Sequence, residues 1–350
     1  MIPVDDAITV LTTKEALALF EGVESVAICA HINPDGDALG SSLALAAFLR
    51  ARGCRAICLL AQDQPAPELY AFLEGYEFVN VDSYTETPDL FVAIDVPVPS
   101  RLGDATAVLE RSPRSLCIDH HPDYSGFATW YYGDTLASAT ATLVWALIKE
   151  SGEKITHNMA EYCYVGLMTD TGRFSFQNTS EQSFRDAADM VACGVNPTSM
   201  SMNVYETKSV DALRLESRLI DRVRFSHDKS IVYSWIDEQD LYDLGVTRDD
   251  TEGLPTVLRS ILGAQVSVLL RVEGELVRAN LRSRGSFDVG ELARRFGGGG
   301  HQAAAGFTFK GSPDEVMDML SEAIGDIENN RPDSRCRRPG LRRHRSGMRH

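Results

Sequence analysis

The stretch "AICAHINPDGDALGSS" (residues 27–42) decides how the first half of the chain folds. An apolar run typical of a buried strand stops abruptly, and a helical pattern of apolar residues begins a few positions later. Between the two, His31, Asp35 and Asp37 lie within seven residues. A strand that passes directly into a helix is the building unit of α/β folds, and such folds place ligands beyond the carboxyl ends of their strands.

The same alternation of strand and helix patterns continues to about residue 190. The sequence predicts strands at 23–30, 54–60, 90–95, 115–119 and 128–132, and helices at 37–53, 137–152 and 158–172. This alternation predicts an α/β fold with a parallel sheet that is covered by helices on both faces.

The pattern of predicted secondary structure changes after residue 192. A charged helical segment is followed by two predicted hairpins, at 222–237 with its turn at 227–229 and at 264–284 with its turn near Gly274, and by helices at 288–296 and 313–328. We therefore expect a first domain at 1–192, a helical connector at 193–220, a smaller α/β domain with a mixed sheet at 221–330, and a disordered Arg-rich tail at 331–350.

Charge and composition limit the partners that we expect. The net charge of the 350 residues is −16 although residues 331–350 hold eight Arg and one Asp, so the rest of the chain is even more acidic. An acidic body repels long nucleic acids, but it still admits a small anion held by a few groups. The start of the chain lacks a basic segment, no apolar run is long enough for a membrane span, and the seven cysteines include no CxxC pair. We expect a cytoplasmic protein with reduced thiols and no membrane partner.

Polar residues recur where the predicted elements end. Asp95 closes one strand, Asp119 closes the next and is followed by His120 and His121, and Asp170 ends a helical run. Taken singly, each has an ordinary explanation as a turn residue, a helix cap or a surface pair. Together with the first loop, however, four loops supply carboxylates and imidazoles at one predicted sheet edge. So many carboxylates can be ionised together only beside cations.

The types of these side chains indicate which cations. Carboxylates and imidazoles without a thiolate suit Mn²⁺, Mg²⁺ or Fe²⁺ better than structural zinc. Six or seven ligands are too many for one ion and fit two, and a pair of divalent ions about 3.5–4 Å apart can support an in-line displacement at phosphorus.

These motifs resemble a known family in order and spacing. "HINPDGD" (31–37), Asp95, "DHH" (119–121) and "TDTG" (169–172) resemble the four motifs of the DHH phosphoesterase superfamily. "FGGGGHQAAAGF" (296–307) resembles the hallmark of the DHHA1 domain, and "LRSRG" (281–285) resembles its RS element. The chain is similar in length to the compact bacterial nanoRNase/pAp phosphatase subgroup.

The resemblance implies a role for each motif residue. His31 and Asp35 would bind the first metal, Asp37, His120 and Asp170 the second, and Asp95 would bridge both. His121 would contact the scissile phosphate, so that Asp95 and His121 are the catalytic residues. The resemblance further implies two divalent ions, with Mn²⁺ favoured, and it is the only reason to expect a homodimer.

The glycine run has two interpretations. A bare run of four glycines is often a flexible linker, but this one lies between a helical segment and "HQAAAGF", inside a domain. Glycines let backbone N–H groups approach an anion closely, and an arginine can grip a phosphate through two hydrogen bonds. The expected substrate-binding residues are His121, Arg282, Ser283, Gly298, Gly299, Gly300 and His301. The first domain would then hydrolyse one phosphoester bond while the second domain holds the other end of the nucleotide.

The leading hypothesis is a two-metal phosphoesterase that hydrolyses RNA dimers to pentamers and 3′-phosphoadenosine 5′-phosphate. Hydrolysis of cyclic di-AMP or of the linear dinucleotide pApA would use the same site and is not separated by the sequence. An inorganic pyrophosphatase fits the first-domain motifs but not the second domain. A processive single-strand exonuclease is disfavoured by the acidic body, and a non-enzymatic nucleotide sensor is disfavoured because no expected ligand is missing.

Overall fold

The computed structural model describes residues 9–226, 230–251, 253–285 and 287–330. The predicted turn at 227–229 and the Arg-rich tail at 331–350 lie outside the described residues. Within that part of the chain, no helix has both the length and the apolar character that crossing a bilayer requires.

The first sheet has six strands, all parallel, as the alternating pattern predicts. They are β1 (Ser25–Ala30), β2 (Arg55–Leu60), β3 (Val79–Asn80), β4 (Leu90–Ile94), β5 (Ser115–Asp119) and β6 (Trp130–Gly133). Their order across the sheet is β3-β2-β1-β4-β5-β6. The very short β3 is the strand that the sequence prediction missed. It makes only two register pairs, with Leu59 and Leu60 of β2.

Helices cover both faces of this sheet. They are α1 (Thr13–Ala18), α2 (Gly36–Ala51), α3 (Thr106–Arg111), α4 (Thr140–Glu150), α5 (His157–Asp170) and α6 (Glu181–Ala192). Alternate residues of a central strand enter different apolar clusters: Val92 packs into one and Phe91 into the other, and both are fully buried. A strand covered on both sides must be apolar at every position, which explains the unbroken apolar runs in the sequence.

Helices α2 and α5 approach so closely that glycine is required between them. A Cβ atom on Gly40 would lie 2.4 Å from the carbonyl oxygen of Tyr162. The two helices carry Asp37 near the start of α2 and Asp170 at the end of α5. Their close contact therefore brings together two acidic residues that are far apart in the sequence.

The strand order creates a crevice at the carboxyl edge of the sheet. The chain runs outward from β1 through β2 to β3, and then from β4 through β5 to β6 on the other side. Neighbouring loops after β1 and β4 therefore lead in opposite directions and leave a gap between them. Open parallel sheets bind their ligands at such a switch point.

Two helices connect this domain to the second one. They are α7 (Pro197–Tyr205) and α8 (Val210–Asp221), which together fall in the helical segment expected at 193–220 and extend one residue past it. Each begins with a side-chain cap, Asn196 for α7 and Ser209 for α8. The predicted single helical stretch is thus interrupted at 206–209.

The second sheet also has six strands and is mixed. They are β7 (Arg224–Phe225), β8 (Ile231–Asp237), β9 (Val266–Glu273), β10 (Leu276–Ser283), β11 (Gly299–Gly300) and β12 (Ala304–Lys310), in the order β11-β12-β10-β9-β8-β7. Only β8 and β9 pair in parallel. Helices α9 (Glu238–Leu244), α10 (Leu254–Arg259), α11 (Val289–Arg295) and α12 (Pro313–Asn330) pack around it.

Both predicted hairpins of the second domain are present. β7 pairs with β8 and β9 pairs with β10, each antiparallel, and Gly274 takes a left-handed φ of 59° at the second turn. The sequence prediction missed β11 and β12. Part of the glycine run is a short edge strand, so the four glycines are not a linker. The α/β fold with a parallel first sheet and a mixed second sheet is confirmed.

Candidate metal centre

Three neighbouring strands deliver side chains to the crevice. His31 follows β1, Asp95 follows β4 and His120 follows β5, and all three are at least 96% buried. The Nε2 atom of His31 lies 3.5 Å from Asp95 Oδ2, and that of His120 lies 3.6 Å from Asp95 Oδ1. Asp95 thus stands between two imidazoles, one on each oxygen. Its backbone φ of 61° is strained for a non-glycine residue, and such strain persists only where the surrounding structure enforces it.

Two helices complete the set. Asp35 is the N-cap of α2, where its Oδ1 accepts hydrogen bonds from the N–H groups of Asp37 and Ala38. Asp37 Oδ2 lies 4.0 Å from His120 Nε2, and Asp170 Oδ2 lies 3.9 Å from the same nitrogen. All six predicted metal ligands therefore meet at one place.

The donor atoms fall into groups that suit two ions. In the group His31, Asp35 and Asp95, and again in the group Asp37, Asp95 and His120, the ligand atoms lie within 4.8 Å of one another. Asp95 belongs to both groups. A bridging role of Asp95 requires this shared membership, and the role itself stays a prediction.

The hydrogen bonds of the two histidines leave the correct nitrogen free for a metal. Nδ1 of His31 lies 2.8 Å from the carbonyl oxygen of Ile32, and Nδ1 of His120 lies 3.1 Å from that of Ala137. A carbonyl can only accept, so Nδ1 carries the proton in both rings. In the neutral ring Nε2 then offers its lone pair toward the carboxylates, as a metal-ligating histidine requires.

His121 is held differently. Its Nδ1 lies 2.7 Å from Asp119 Oδ1 and 3.4 Å from Asp95 Oδ1. Asp119 is fully buried at the end of β5. Because both of these contacts use Nδ1, Nε2 can meet a ligand.

The second domain reaches into the same crevice. The ring of His301 lies 4.3 Å from that of His121 and 4.6 Å from that of His120, measured between centroids. His301 Nε2 and Ser283 Oγ are buried atoms without a hydrogen-bond partner in the described part of the chain. Unsatisfied buried polar atoms call for a partner, which a bound ligand can supply.

Arg282 and the glycines lie on neighbouring strands of the second sheet. Arg282 on β10 pairs with Ala304 of β12, and Gly299 and Gly300 of β11 pair with the same strand. The Arg282 Nη1 donates to the carbonyl oxygen of Leu281, and within the described chain no carboxylate lies at ion-pairing distance from this guanidinium. It is a half-buried cation that forms no ion pair within the described chain, although the charges of Asp170 and Asp35 act on it from a distance.

Comparison with known proteins agrees with this geometry. The model of the DHH family N-terminal domain matches residues 25–167, and that of the DHHA1 domain matches residues 228–329. The bifunctional oligoribonuclease and PAP phosphatase NrnA of Thermus thermophilus is 31% identical over 89% of this chain and 91% of its own. The chain belongs to the DHH–DHHA1 family. It is accordingly a hydrolase of the phosphoesterase class.

Two further relatives extend the similarity over both domains. NrnA of Bacillus subtilis is 29% identical over 85% of this chain and 93% of its own. The crystal structure of an exopolyphosphatase-related protein from Bacteroides fragilis superposes with a TM-score of 0.81 at 26% identity, and covers 91% of this chain and 96% of its own. The DHH–DHHA1 arrangement therefore spans nearly the whole described chain.

The pKa values of the buried carboxylates in the DHH motifs are shifted by burial and by one another. Burial raises the pKa of Asp37 well above its usual range, and the charge of Asp95 raises it further. Burial likewise raises the pKa of Asp170, with Asp35 adding to the effect. Burial also opposes the charge on Asp95, but the neighbouring His121 holds the pKa of Asp95 well below its usual range. Divalent cations would allow all these carboxylates to be ionised together, so the residues fit the metals that the family implies.

The two histidines that stack across the crevice titrate in opposite directions. Burial disfavours the charged form of His121, but Asp95 and Asp119 outweigh it and raise the pKa of His121 well above its usual range. Burial, reinforced by the charges of His121 and His120, lowers the pKa of His301 to about 2. His301 is therefore neutral, and a charged His121 can stack against it without repulsion.

Sequence reasoning named Asp119 without giving it a role, and it missed two further residues that orient the ligands. Asp119 positions His121, and Asn178 donates from its side chain to Asp170 Oδ2 at 3.0 Å. The hydroxyl of Thr140 donates to Asp95 Oδ1 at 2.8 Å. Asp119 had a signal in the "DHH" motif itself. Thr140 and Asn178 resemble ordinary polar residues in sequence, and only their tertiary partners reveal them.

Proposed function

We propose that this enzyme hydrolyses very short oligoribonucleotides and 3′-phosphoadenosine 5′-phosphate with the help of two divalent metal ions. The single observation that carries the proposal is that metal-binding side chains of the first domain and a polar side chain of the second domain lie in one crevice. The acidic and imidazole cluster of the first domain faces His301 of the second at 4.3 Å from His121. The two NrnA relatives carry the same pair of activities in their names.

We assign the metal positions from the two donor groups. His31, Asp35 and Asp95 would hold one ion, and Asp37, Asp95, His120 and Asp170 the other. Two such ions, when bound, supply Lewis-acid stabilisation of charge on a phosphate. The donors favour Mn²⁺, with Mg²⁺ or Fe²⁺ as alternatives, because carboxylates and imidazoles without thiolates suit these ions.

The chain's own residues bind and orient the phosphate. His121 carries a proton on Nδ1 that Asp119 holds, and the charges of Asp95 and Asp119 outweigh burial and raise the pKa of His121 well above its usual range. Its Nε2–H would donate to an oxygen of the scissile phosphate and stabilise the charge that grows there. Asp95 and His121 are in this scheme the catalytic residues, as the motif resemblance implies.

The second domain would hold the remote end of the substrate. Burial and the nearby Arg271 lower the pKa of Arg282 to about 10, so the guanidinium stays charged at neutral pH. It would grip a terminal phosphate, and His301, Ser283 Oγ and the backbone of Gly299 and Gly300 would add donors. The Gly298 N–H, expected among these donors, instead donates to the carbonyl oxygen of Ala293 at 3.0 Å. Both ends of the substrate must then fit between the domains, which favours dimers to pentamers over long chains.

The domain limits at 1–192, 193–220 and 221–330 belong to this proposal, as do a cytoplasmic location and a homodimer. The six cysteines in the described chain are all free, which suits a reducing compartment. Light scattering of the purified protein would measure the oligomeric state.

A substrate panel tests the proposal directly. Turnover would be measured with Mn²⁺ saturating on 3′-phosphoadenosine 5′-phosphate, RNA dimers to pentamers, a long single-stranded RNA, pApA, cyclic di-AMP and pyrophosphate. We expect the highest kcat/KM on the first two substrate types. Efficient degradation of the long RNA without preference for short chains would refute the proposal in favour of an exonuclease. Preferred turnover of cyclic di-AMP or pyrophosphate would refute it in favour of those activities.

A further inference from the structure

Helix α4 begins without a side-chain cap of its own. Its N-cap residue is Ala139, which has no side-chain acceptor for the N–H groups of the first turn. Two of these groups instead donate to a carboxylate from another helix: Thr140 N–H to Asp37 Oδ2 at 2.7 Å and Ala141 N–H to Asp37 Oδ1 at 2.8 Å. The start of α4 thus grips both oxygens of Asp37 and fixes the plane of this carboxylate.

The side chain of Thr140 reaches a second carboxylate. Its hydroxyl donates to Asp95 Oδ1 at 2.8 Å, and the residue is fully buried. This Asp95 oxygen is the one that faces His120, whereas Oδ2 faces His31. One threonine therefore contacts two of the three residues in the donor group Asp37, Asp95 and His120.

The position of this helix start leaves no room for adjustment. A Cβ atom on Gly166 of α5 would lie 2.6 Å from the Ala141 Cβ and 2.8 Å from Asp37 Oδ1. Ser41, one turn along α2, also donates to Asp37 Oδ1 at 3.1 Å. Because α2, α4 and α5 are in direct contact here, Asp37 cannot turn to replace a lost contact elsewhere.

We propose that Thr140 is a positioning residue of the metal centre, whose hydroxyl orients the Asp95 oxygen that faces His120. This inference rests on the metal assignment proposed above. Groups that hydrogen-bond to metal ligands typically contribute 10- to 100-fold to metal affinity. The effect should be confined to the ion held by Asp37, Asp95 and His120, since the hydroxyl does not touch the Asp95 oxygen that faces His31.

The test measures Mn²⁺ binding to the full-length metal-free protein by isothermal titration calorimetry. Thr140→Val keeps the shape of the side chain but removes the hydroxyl. We expect one of the two Mn²⁺ sites to weaken by about 10- to 100-fold while the other stays within about threefold of the original protein. A second pair, Thr140→Ser against Thr140→Ala, isolates the same hydroxyl if valine disturbs folding, which circular dichroism would reveal. Serine should bind both ions nearly normally, and alanine should not.

The matched control is Thr142→Val, in the same helical turn. The Thr142 hydroxyl donates to the carbonyl oxygen of Ala139 at 2.7 Å and touches no carboxylate. This variant should bind both ions normally. An equal loss in Thr142→Val would assign the effect to the stability of α4 and overturn the proposal.

The remaining outcomes are equally decisive. Normal binding of both ions by Thr140→Val and by Thr140→Ala would overturn the positioning role while leaving the metal centre intact. A serine variant as weak as the alanine variant would also overturn it, because the hydroxyl would then not be the cause. If the unaltered protein bound no Mn²⁺, the proposed metal centre itself would fail, and the two failures are thereby told apart.

Discussion

The two halves of the crevice are built in different ways. The metal-ligand side lies entirely within the first domain, where strand ends and packed helices hold it and most of its side chains are nearly fully buried. The substrate side comes from the second domain and meets the first through a few polar contacts. Asp123 pairs with Arg294 at 3.4 Å, and Arg259 lies 4.6 Å over the ring of Phe176. The metal-ligand side is held by the packed interior of the first domain, and we call it the rigid half. The substrate side is positioned against it by weak contacts between the domains.

We expect this difference to separate the residues that carry out hydrolysis from those that select the substrate. Interactions between two domains of one chain that are small and polar allow relative motion, whereas a packed interior does not. The loops that follow two of the proposed metal ligands also carry contacts to the second domain: Asp123 lies in the loop after His120, and Phe176 lies after Asp170. Changes on the rigid side should therefore abolish turnover of every substrate. Changes on the second domain should depend on what the substrate can reach.

The largest effect is expected from Asp95→Asn. It removes the charge shared by both donor groups, so turnover of every substrate should fall by at least about a thousandfold, the scale of losing a key catalytic group. Steady-state kinetics would measure the loss, and circular dichroism would check that the fold is retained. The exposed Asp82→Asn in the same domain is the control and should be fully active. A folded Asp95→Asn protein with near-normal turnover would contradict the two-metal assignment.

Arg282→Ala should sharpen the contrast between the two halves. We expect a loss of about 2–4 kcal/mol in kcat/KM for a dinucleotide, as for breaking a charge-assisted pair in a closed site. Bis-p-nitrophenyl phosphate, which is too short to reach the second domain, should be hydrolysed almost normally, and His301→Ala should show the same selectivity. Arg278→Ala is the control, because Arg278 lies on the same strand but pairs with Glu273. Equal losses on both substrates would show that Arg282 supports the fold and does not bind the substrate.

His121→Ala tests where the rigid half ends. If His121 contacts phosphate and not metal, the variant should still bind two Mn²⁺ ions per chain while kcat falls by about a hundredfold, as for losing one proton donor. Calorimetric stoichiometry together with kcat would check this. The control is His157→Ala, because His157 is exposed at the end of α5 far from Asp170. This variant should change neither the number of bound Mn²⁺ ions nor kcat. A missing metal ion in His121→Ala would mean that the roles of His120 and His121 have been misassigned.

The smallest effect should come from Arg294→Ala at the domain contact. An exposed ion pair contributes only about 0.2–1 kcal/mol, so KM for a dinucleotide should rise by at most about fivefold with kcat nearly unchanged. The rise should shrink at high salt, because salt screens such pairs. Arg295→Ala, whose partner Glu291 lies on the same helix, serves as the control. A large drop in kcat would mean that this contact belongs to the rigid half.

The sequence predicted the parallel sheet and the residues at its edge for a common reason. Strands buried on both faces must be apolar throughout, so a polar residue at the strand end stands out, as Asp95 does after "LFVAI". Chain direction then places all such ends at one edge. The meeting of the six expected ligands at this edge could therefore be predicted without knowing the conformation of any loop.

The short elements could not be predicted in the same way. β3 has two residues and β11 has two, too few to show any alternation. β11 is formed by glycines, and β12 begins in an alanine-rich stretch. Neither β11 nor β12 has the β-branched pattern on which strand prediction depends. β12 forms because β10 offers an edge for pairing, and β11 forms on the edge of β12.

What the sequence by itself determined is the set of chemical groups and the sheet edge that gathers them, because both follow from residue type and strand direction. What only the tertiary structure decided is how these groups are held. Thr140 reaches Asp95 across 45 positions and Asp37 across 103 positions of the chain, through a helix start whose own cap residue is an alanine. Hydrogen bonds between distant segments depend on the packing of whole helices, and no local pattern records that packing.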